Sequence, residues 1–260
     1  MTPTPSTIHL ALRLPFRWDA LAAFLATRAI AGVDAFADNR YERDGISIEP
    51  GHGSMLDMTV PPSLASGVHD LVVRARRMFD LDADPIAIDE HLHRDRLLPY
   101  RAGTRVPGAW EPFEVAVRAI VGQQISVRGA TTIMERLVGY FDRFPGPADL
   151  ADANLQLGMP RSRLDAIQGM ARAVAENPAI LMRAATLEET IARLTALRGI
   201  GPWTAHYIAM RALGEHDAFP DGDLGLRKAA AALGIDNLLQ RAERWRPWRA
   251  YAAIALWESL

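Results

Sequence analysis

The first eighty residues of the chain combine two hydrophobic periods. Three short runs alternate apolar with polar positions, which predicts strands over Ile8–Leu14, Tyr41–Glu49 and Met55–Val60. The turn residues Pro50–Gly53 separate the last two runs and predict a hairpin. Apolar residues recur at helical spacing in Trp18–Ile30 and Leu64–Phe79, which predicts two amphipathic helices. The order of these elements predicts an antiparallel sheet with two helices on one face.

From Pro85 to Leu260 the pattern predicts helices and no strand. Proline and glycine separate most of the segments of helical period, as expected at helix boundaries. The predicted helices are Glu111–Ile120, Val127–Phe141, Leu150–Leu155, Arg161–Glu176, Leu187–Leu194, Trp203–Leu213, Leu224–Leu233, Leu238–Arg244 and Arg249–Ser259. We therefore predict an α+β chain, with a small α+β domain over residues 1–84 and an all-helical domain over residues 85–260.

The composition is that of an ordinary globular protein, with 49% hydrophobic and 23% charged residues. The 260 residues include no cysteine, which excludes disulfides, thiolate zinc sites, cysteine nucleophiles and iron–sulfur clusters held by this chain. The sequence has no signal-peptide pattern and no uninterrupted apolar run of about eighteen residues, so we expect a cytoplasmic protein.

Charge alone does not identify the partner. A net charge of −2 argues mildly against nucleic acid, but residues 101–260 carry a small excess of basic side chains, which permits a local DNA-binding face. Lys228 is the only lysine, so only one side-chain amine of this chain could form a Schiff base with a sugar.

The segment Leu197–Ala205 is the most informative part of the sequence. Gly199 and Gly201 flank one apolar residue, Ile200, and both glycines can adopt positive φ and admit a second backbone. Pro202 suits the first position of a following helix. A helix N-terminus behind a glycine turn presents free N–H groups that can bind a phosphate without basic side chains. A plain connection between two helices is the alternative interpretation.

The string Leu-Arg-Gly-Ile-Gly-Pro-Trp-Thr-Ala resembles the helix–hairpin–helix motif of the base-excision DNA glycosylase superfamily, here at about residues 194–213. Such hairpins also occur in other DNA-binding proteins, so the motif by itself indicates DNA and not chemistry. In the glycosylases, hairpin carbonyls often hold a monovalent cation that also meets a DNA phosphate. The resemblance implies Na⁺ or K⁺ at the carbonyls of Thr195, Leu197 and Ile200, and DNA contacts at Gly199, Gly201 and Thr204.

Asp223 is the candidate catalytic residue. It precedes a predicted helix, so an N-cap is one interpretation of its side chain. A carboxylate at a helix N-terminus is favoured in its ionised form, and it stabilises the cationic sugar formed when a glycosidic bond breaks. Pro220–Leu224 resembles the Gly/Pro-rich loop of the superfamily, which ends in an essential aspartate. Asp221 competes for the role, but Asp223 matches the family position directly before Leu-x-Leu-Arg.

Trp203 bears on the mechanism. In superfamily members with lyase activity, a lysine in the helix after the hairpin attacks the sugar, and the matching position here is Trp203. Lys228 lies in the next predicted helix instead. The resemblance therefore implies a monofunctional glycosylase that uses water and requires no cofactor. The absence of cysteine also excludes the iron–sulfur cluster of many lyase members.

Aromatic residues in the hairpin helix predict a pocket for a damaged base. Trp203 and Tyr207 lie four residues apart, on one face of that helix; a stripe of core residues is the alternative interpretation. Electron-rich rings attract a cationic alkylated base such as 3-methyladenine by stacking and cation–π contact. A glycosylase must extrude this base from the duplex to reach its target bond.

The chain resembles the DNA-3-methyladenine glycosylase II family over nearly its whole length. Besides the hairpin, the resemblance rests on Phe16–Ile30, Arg77–Asp82, Met159–Arg163 and Trp245–Ala252. It implies an N-terminal domain like that of the TATA-binding protein. It also adds Phe24 and Trp257 to the predicted pocket, although both fit plain core positions equally well.

The segment Glu114–Ser126 resembles the family segment that carries a wedge, the side chain that fills the gap left by the extruded base. The resemblance implies DNA contacts at Gln123 and Gln124, with Gln124 where the best-known members have leucine. Glutamine can hydrogen-bond the orphaned partner base, but it is a poorer hydrophobic plug. The lesion preference therefore stays open. A pair of helix caps is the alternative interpretation of the two glutamines.

Together these features predict a monofunctional DNA glycosylase that hydrolyses the N-glycosidic bond of alkylated purines in duplex DNA by base flipping, the first step of base-excision repair. A non-catalytic damage sensor and an oxidised-base glycosylase with lyase activity are the alternatives. The expected partner is duplex DNA containing damaged bases. We expect a monomer, associated with the nucleoid when it is bound to DNA.

Overall fold

The computed structural model of the protein describes residues 4–260. Five antiparallel strands near the N-terminus form one sheet in the order β1-β5-β4-β3-β2. The strands are β1 Ser6–Ala11, β2 Asp34–Ala37, β3 Arg40–Arg43, β4 Ile46–Pro50 and β5 Met55–Val60. Two helices belong to the same part, α1 (Trp18–Ala26) and α2 (Val68–Met78). The predicted antiparallel sheet with two helices is confirmed, and residues 1–3 of the predicted domain lie outside the described residues.

Both helices pack on one apolar face of the sheet. Ile48 on β4 and Met58 on β5 are register partners, and neither is accessible to solvent. Leu21 of α1 and Met78 of α2 belong to the same buried cluster as these two residues. Alternate strand positions are therefore buried, as the period of two predicts. Each such side chain stabilises the fold by roughly 1.5–3 kcal/mol.

The segment Tyr41–Glu49 forms two strands, so the prediction of a single strand is wrong. Asp44 and Gly45 have φ of 51° and 77°, and two-residue hairpin turns of type I′ need positive φ at both positions. Asp38 and Asn39, at 51° and 62°, separate β2 from β3 in the same way. Short polar pairs of this kind are hairpin signals in their own right, and the apolar pattern alone does not show them.

Ten further helices follow α2 within the described residues. They are α3 Pro85–Leu92, α4 Pro112–Val121, α5 Val127–Val138, α6 Pro147–Ala151, α7 Arg161–Glu176, α8 Leu187–Thr195, α9 Pro202–Ala212, α10 Leu224–Ala232, α11 Leu238–Ala242 and α12 Arg249–Glu258. Short 3₁₀ helices occur at Pro62–Gly67, Pro178–Leu181 and Glu243–Trp245. Across residues 4–260, no helix has both the length and the apolar character needed to cross a bilayer.

Helices α1 and α2 are each about four residues shorter than predicted at one end, and in the helical part α3 and α6 depart most from the prediction. The sequence pattern did not predict α3, because eight residues are too few to display a period, although Asp84 caps it and Pro85 opens it. The helix predicted over Leu150–Leu155 instead begins at Pro147 and ends at Ala151. Proline at the first helical position marks the true start of α3 and of α6.

A second buried core fills the helical part, with Ile120, Ile167 and Ile208 among its fully buried members. Membership of the two cores does not follow the order of the chain. Trp110 belongs to the core under the sheet, whereas Ile30 belongs to the helical core. The domain boundary between residues 84 and 85 therefore stays a prediction.

A buried ion pair joins the sheet to α4. Arg43 on β3 donates through both terminal nitrogens to the carboxylate of Glu114 on α4. Burial raises the pKa of the Glu114 carboxyl, while the charge of Arg43 acts in the opposite direction. Because an ion left without its partner in the interior is costly, this pair fixes α4 against the sheet. The loop with Gln123 and Gln124 begins directly after α4.

Candidate active site

The turn between α8 and α9 requires glycine at one of its two glycine positions. Gly199 has φ of +85°, and a Cβ there would lie 2.5 Å from the Cβ of Ala166. Ile200 is 4% exposed and belongs to the helical core, as predicted. Gly201 has φ of −84° and open space around it, so the expectation of a positive φ is wrong there. Gly201 is the N-cap of α9, and Pro202 occupies the first helical position, as predicted.

The N-terminus of α9 is accessible. Gly199, Gly201 and Pro202 are exposed, and no side chain caps the free N–H groups of the first turn. This surface has the form that binds a phosphate. Thr204 differs from the other predicted DNA contacts, because the whole residue is only 2% exposed and its hydroxyl accepts a hydrogen bond from Gln123.

Gln123 connects the loop after α4 to this hairpin. Its Nε2 donates to the carbonyl of Gly199 at 3.1 Å and to the hydroxyl of Thr204 at 3.0 Å. Gln124 is exposed and has φ of 60°. Neither glutamine caps a helix, since Ser126 is the N-cap of α5. The interpretation of the two residues as a pair of caps is therefore wrong.

Asp223 is the N-cap of α10, and three N–H groups hold its carboxylate. Oδ1 accepts from the backbone N–H of Leu226 at 3.0 Å and from Nε1 of Trp257 at 2.9 Å. Oδ2 accepts from Nε1 of Trp203 at 3.1 Å. The two indoles come from α9 and α12, so both helices position the same carboxylate. Asp221 does not line the cavity that Asp223 faces.

That cavity has a volume of about 610 Å³, within the range of small-ligand sites. Its lining includes Asp223 and all four predicted aromatic residues, which are Phe24, Trp203, Tyr207 and Trp257. The rings of Trp203 and Tyr207 stack, with centroids 5.7 Å apart and an interplanar angle of 29°. Trp257 lies 6.1 Å from Tyr207 and 6.3 Å from Phe24. The five residues predicted for catalysis and base binding thus face one cavity.

The site also contains arginines that the sequence analysis did not single out. Arg28 and Arg118 line the cavity, and Arg211 lies behind Tyr207. The Arg28 guanidinium lies 3.6 Å from the centroid of the Phe24 ring, and that of Arg211 lies 4.7 Å from it. Phe24 therefore already has two cationic partners. Phe24–Arg28 and Tyr207–Arg211 are aromatic–arginine pairs four residues apart, a signal that the sequence does contain.

These guanidinium groups set the electrostatics around Tyr207. Arg211 donates from Nη1 to the Tyr207 hydroxyl at 2.8 Å. Burial acts to raise the pKa of Tyr207, but the charges of Arg211, Arg28 and Arg118 outweigh it and lower that pKa. Burial in turn lowers the pKa of Arg118 to about 10. The surroundings of Tyr207 are therefore cationic, while Asp223 contributes a carboxylate to the same cavity.

Two family models match the chain. The AlkA N-terminal domain matches residues 7–111, and the HhH-GPD superfamily base excision DNA repair protein matches residues 117–246. The chain therefore belongs to the HhH-GPD superfamily of base excision DNA repair proteins. The resemblance inferred from its motifs is confirmed.

Individual relatives agree with this family. The chain is 35% identical, over 98% of its length, to the "Probable bifunctional transcriptional activator/DNA repair enzyme AlkA" of Mycobacterium tuberculosis (strain CDC 1551 / Oshkosh), but it spans only 57% of that relative. It is 30% identical to DNA-3-methyladenine glycosylase 2 of Escherichia coli, over 94% of each chain. The solved structure of 3-methyladenine DNA-glycosylase from Archaeoglobus fulgidus has the same fold, with a TM-score of 0.76, 21% identity and 97% of each chain covered.

Proposed function

We propose that the protein is a monofunctional DNA glycosylase that removes alkylated purines from duplex DNA, the first step of base-excision repair. The observation that carries the proposal is the Asp223 carboxylate, held by the indoles of Trp203 and Trp257 at the wall of an aromatic cavity. Membership of the HhH-GPD superfamily and the 30% sequence identity to DNA-3-methyladenine glycosylase 2 of Escherichia coli support base removal as the activity.

Asp223 acts on the sugar. When the N-glycosidic bond breaks, its electron pair moves onto the base and positive charge develops on the sugar. The carboxylate stabilises this charge and orients the water that attacks C1′. The three N–H groups that hold the carboxylate fix it before the reaction, so little reorganisation is needed in the transition state.

The target nucleotide rotates out of the duplex, and its base enters the cavity. Trp203, Tyr207 and Trp257 provide the rings against which the base stacks. Phe24 contributes less to binding a cationic base, because Arg28 and Arg211 already occupy its ring. Gln124 is the wedge of this proposal, since it is exposed on the loop next to Ile125, which lines the cavity.

The hairpin holds the DNA backbone. Free N–H groups at the N-terminus of α9 contact a phosphate, and Gly199 and Gly201 admit the close approach. The carbonyls of Thr195, Leu197 and Ile200 are proposed to bind Na⁺ or K⁺ beside that phosphate. The Leu197 carbonyl accepts a hydrogen bond from the N–H of Ile200 at 3.1 Å. Within the described residues, the carbonyls of Thr195 and Ile200 accept no backbone hydrogen bond in the turn. These two carbonyls are therefore the better candidates for binding the cation. The protein is proposed to act as a monomer on the DNA of the nucleoid.

Hydrolysis is favoured over the lyase and damage-sensor alternatives. Trp203 stands where a lyase has lysine, and Lys228 is exposed on α10, outside the cavity lining. A sensor that only binds DNA has no use for a carboxylate held by three donors in a base-sized cavity.

The test is a panel of duplexes that each contain one lesion: 3-methyladenine, 7-methylguanine, hypoxanthine or ethenoadenine. Abasic sites are measured by alkaline strand cleavage, and covalent intermediates are trapped with borohydride. We expect abasic product from the alkylated purines and no trapped adduct. Lesion binding with no abasic product from any duplex contradicts the proposal in favour of a sensor, and a trapped adduct contradicts it in favour of a lyase.

A further inference from the structure

Three guanidinium groups surround Tyr207 without an acid partner, two of them in the cavity wall and that of Arg211 behind the tyrosine. Arg28 donates to Phe24 O and Thr27 Oγ1, and Arg118 donates to Arg28 O and Thr131 Oγ1. The acceptors of Arg211 are two backbone carbonyls and the hydroxyl of Tyr207. Within residues 4–260, none of these three arginines forms an ion pair with a carboxylate. The charges of the two arginines that line the cavity, Arg28 and Arg118, are therefore available to a ligand in it.

The hydroxyl of Tyr207 is held as a donor. Its oxygen accepts from Nη1 of Arg211 at 2.8 Å, which orients the group. A tyrosine hydroxyl has one proton to donate, and in the described part of the chain no protein acceptor receives it. Stacking on Trp203 fixes the ring. The O–H of Tyr207, which lines the cavity, can therefore donate to whatever occupies it.

Damaged bases differ in the charge with which they leave. Bond cleavage leaves the electron pair on the base nitrogen, so a cationic base such as 7-methylguanine departs as a neutral molecule. A neutral base such as hypoxanthine departs as an anion. A hydrogen-bond donor backed by positive charge stabilises an anionic leaving group and does much less for a neutral one. The charges around Tyr207 therefore favour the release of neutral bases, which leave as anions.

We propose that Tyr207 is a second catalytic residue of this glycosylase, whose hydroxyl donates a hydrogen bond to the departing base and so promotes the release of neutral lesions that leave as anions. Arg211 and Arg28 are positioning residues for it, and they add charge. The attacking water gives hydroxide to C1′ and releases its proton to solvent, and the base anion takes up a proton from solvent after release. The inference rests on the proposed glycosylase function and names a substrate class within it.

The same charges act against cationic bases. A cationic base would enter a cavity with two guanidiniums in its wall and a third behind Tyr207, and the Phe24 ring already has two cationic partners. Selectivity is therefore best expressed as the ratio of the rate for hypoxanthine to the rate for 7-methylguanine. This ratio reports leaving-group assistance separately from changes in folding or DNA binding, because those change both rates.

The test compares single-turnover rates of the wild type and Tyr207→Phe, with saturating enzyme and duplexes that differ only in the lesion. Phenylalanine keeps the ring that stacks on Trp203 and removes only the hydroxyl. We expect the ratio of hypoxanthine to 7-methylguanine release to fall at least about tenfold, since one positioned hydrogen-bond donor to a developing anion contributes about a hundredfold or more. Tyr140→Phe is the matched control, because Tyr140 is 50% exposed and does not line the cavity; the ratio should not change.

A second variant keeps the test decisive if Tyr207→Phe folds poorly. Arg28→Gln removes one charge from a half-buried position in the turn after α1, and we expect it to lower the same ratio. An unchanged ratio in the folded variants overturns the inference. Wild-type release of 7-methylguanine without any release of hypoxanthine also overturns it, and leaves the glycosylase function standing. Release of no base at all contradicts the proposed function itself.

Discussion

Nε1 of Trp203 lies 3.1 Å from Oδ2 of Asp223. This hydrogen bond joins the first turn of the hairpin helix to the carboxylate that caps the next helix. Nε1 of Trp257 lies 2.9 Å from the other carboxylate oxygen. The two indoles therefore fix the carboxylate from both sides. A tryptophan at the position of the lyase lysine thus has a use of its own, because it orients the acid that a hydrolytic mechanism needs.

The bond between Trp203 and Asp223 predicts the effect of Trp203→Phe. Phenylalanine retains an aromatic ring in the cavity but cannot donate to the carboxylate. Because a hydrogen bond to a charged group contributes about 1.5–3 kcal/mol, we expect base release to slow about tenfold or more. The measurement is the single-turnover rate on a 3-methyladenine duplex. Trp248→Phe is the control, since its indole nitrogen makes no hydrogen bond within residues 4–260; a similar loss in both variants would contradict the assigned role.

Substitution by alanine should change the free energy of unfolding differently at the two hairpin glycines. Gly199→Ala forces positive φ on alanine and a clash with Ala166, so we expect it to lower the free energy of unfolding by about 1–3 kcal/mol. Gly201→Ala has ordinary φ and open space, and its effect on unfolding should stay within about 0.5 kcal/mol. Urea denaturation followed by circular dichroism measures both. Equal destabilisation by the two variants is the outcome that this account does not allow.

We expect Gln123 to contribute to the stability of the protein and Gln124 to base extrusion. Gln123→Ala removes two hydrogen bonds to the hairpin and should destabilise the protein by about 1–2 kcal/mol. Gln124→Ala removes an exposed side chain, so thermal unfolding should hardly change while base release slows. The readouts are melting temperature and single-turnover rate for each variant. A Gln124→Ala protein that releases 3-methyladenine at the wild-type rate would remove Gln124 as the wedge.

Asp80 should make stability depend on pH. Burial raises its pKa from 3.8 to about 6, although Val106 N–H and the Tyr251 hydroxyl donate to it, Arg105 attracts it, and His216 lies 3.8 Å away. The fold therefore prefers the protonated carboxyl. The stability it contributes is fully present below about pH 4 and is lost as the pH rises through about 6.

Asp80→Asn isolates this effect, since asparagine resembles the protonated carboxyl and also tolerates the φ of 52° found here. The free energy of unfolding of the variant, relative to wild type, should increase by about 2 kcal/mol between pH 4 and pH 7. Urea titrations at these two pH values measure it. A difference that is constant over this range would show that Asp80 titrates normally.

Local signals predicted much of the fold. The bounds of α7 agree with the prediction at both ends, because sixteen residues display the helical period clearly. The start of α9 was evident from Pro202 after a glycine turn. β2 was missed because a four-residue strand between polar turns has almost no pattern of its own. Turn chemistry at Asp38 and Asn39 was the available signal.

The candidate site was also predicted only in part. Asp223 and the hairpin aromatics could be predicted because a motif with fixed spacing contains them. The arginines that surround Tyr207 could not, since Arg28 follows α1 whereas Arg118 and Arg211 lie on α4 and α9, three segments far apart in sequence. Only tertiary packing brings their guanidinium groups to one cavity. The bond between Gln123 and the hairpin is likewise a product of packing between distant segments.

The most direct test of the account is the single-turnover release of 3-methyladenine from duplex DNA by Asp223→Asn. Asparagine can still cap α10 but carries no charge to stabilise the sugar cation. We expect the rate to fall by at least about a hundredfold, with DNA binding retained and with Asp221→Asn close to wild type. Release by Asp223→Asn at near the wild-type rate would contradict the mechanism.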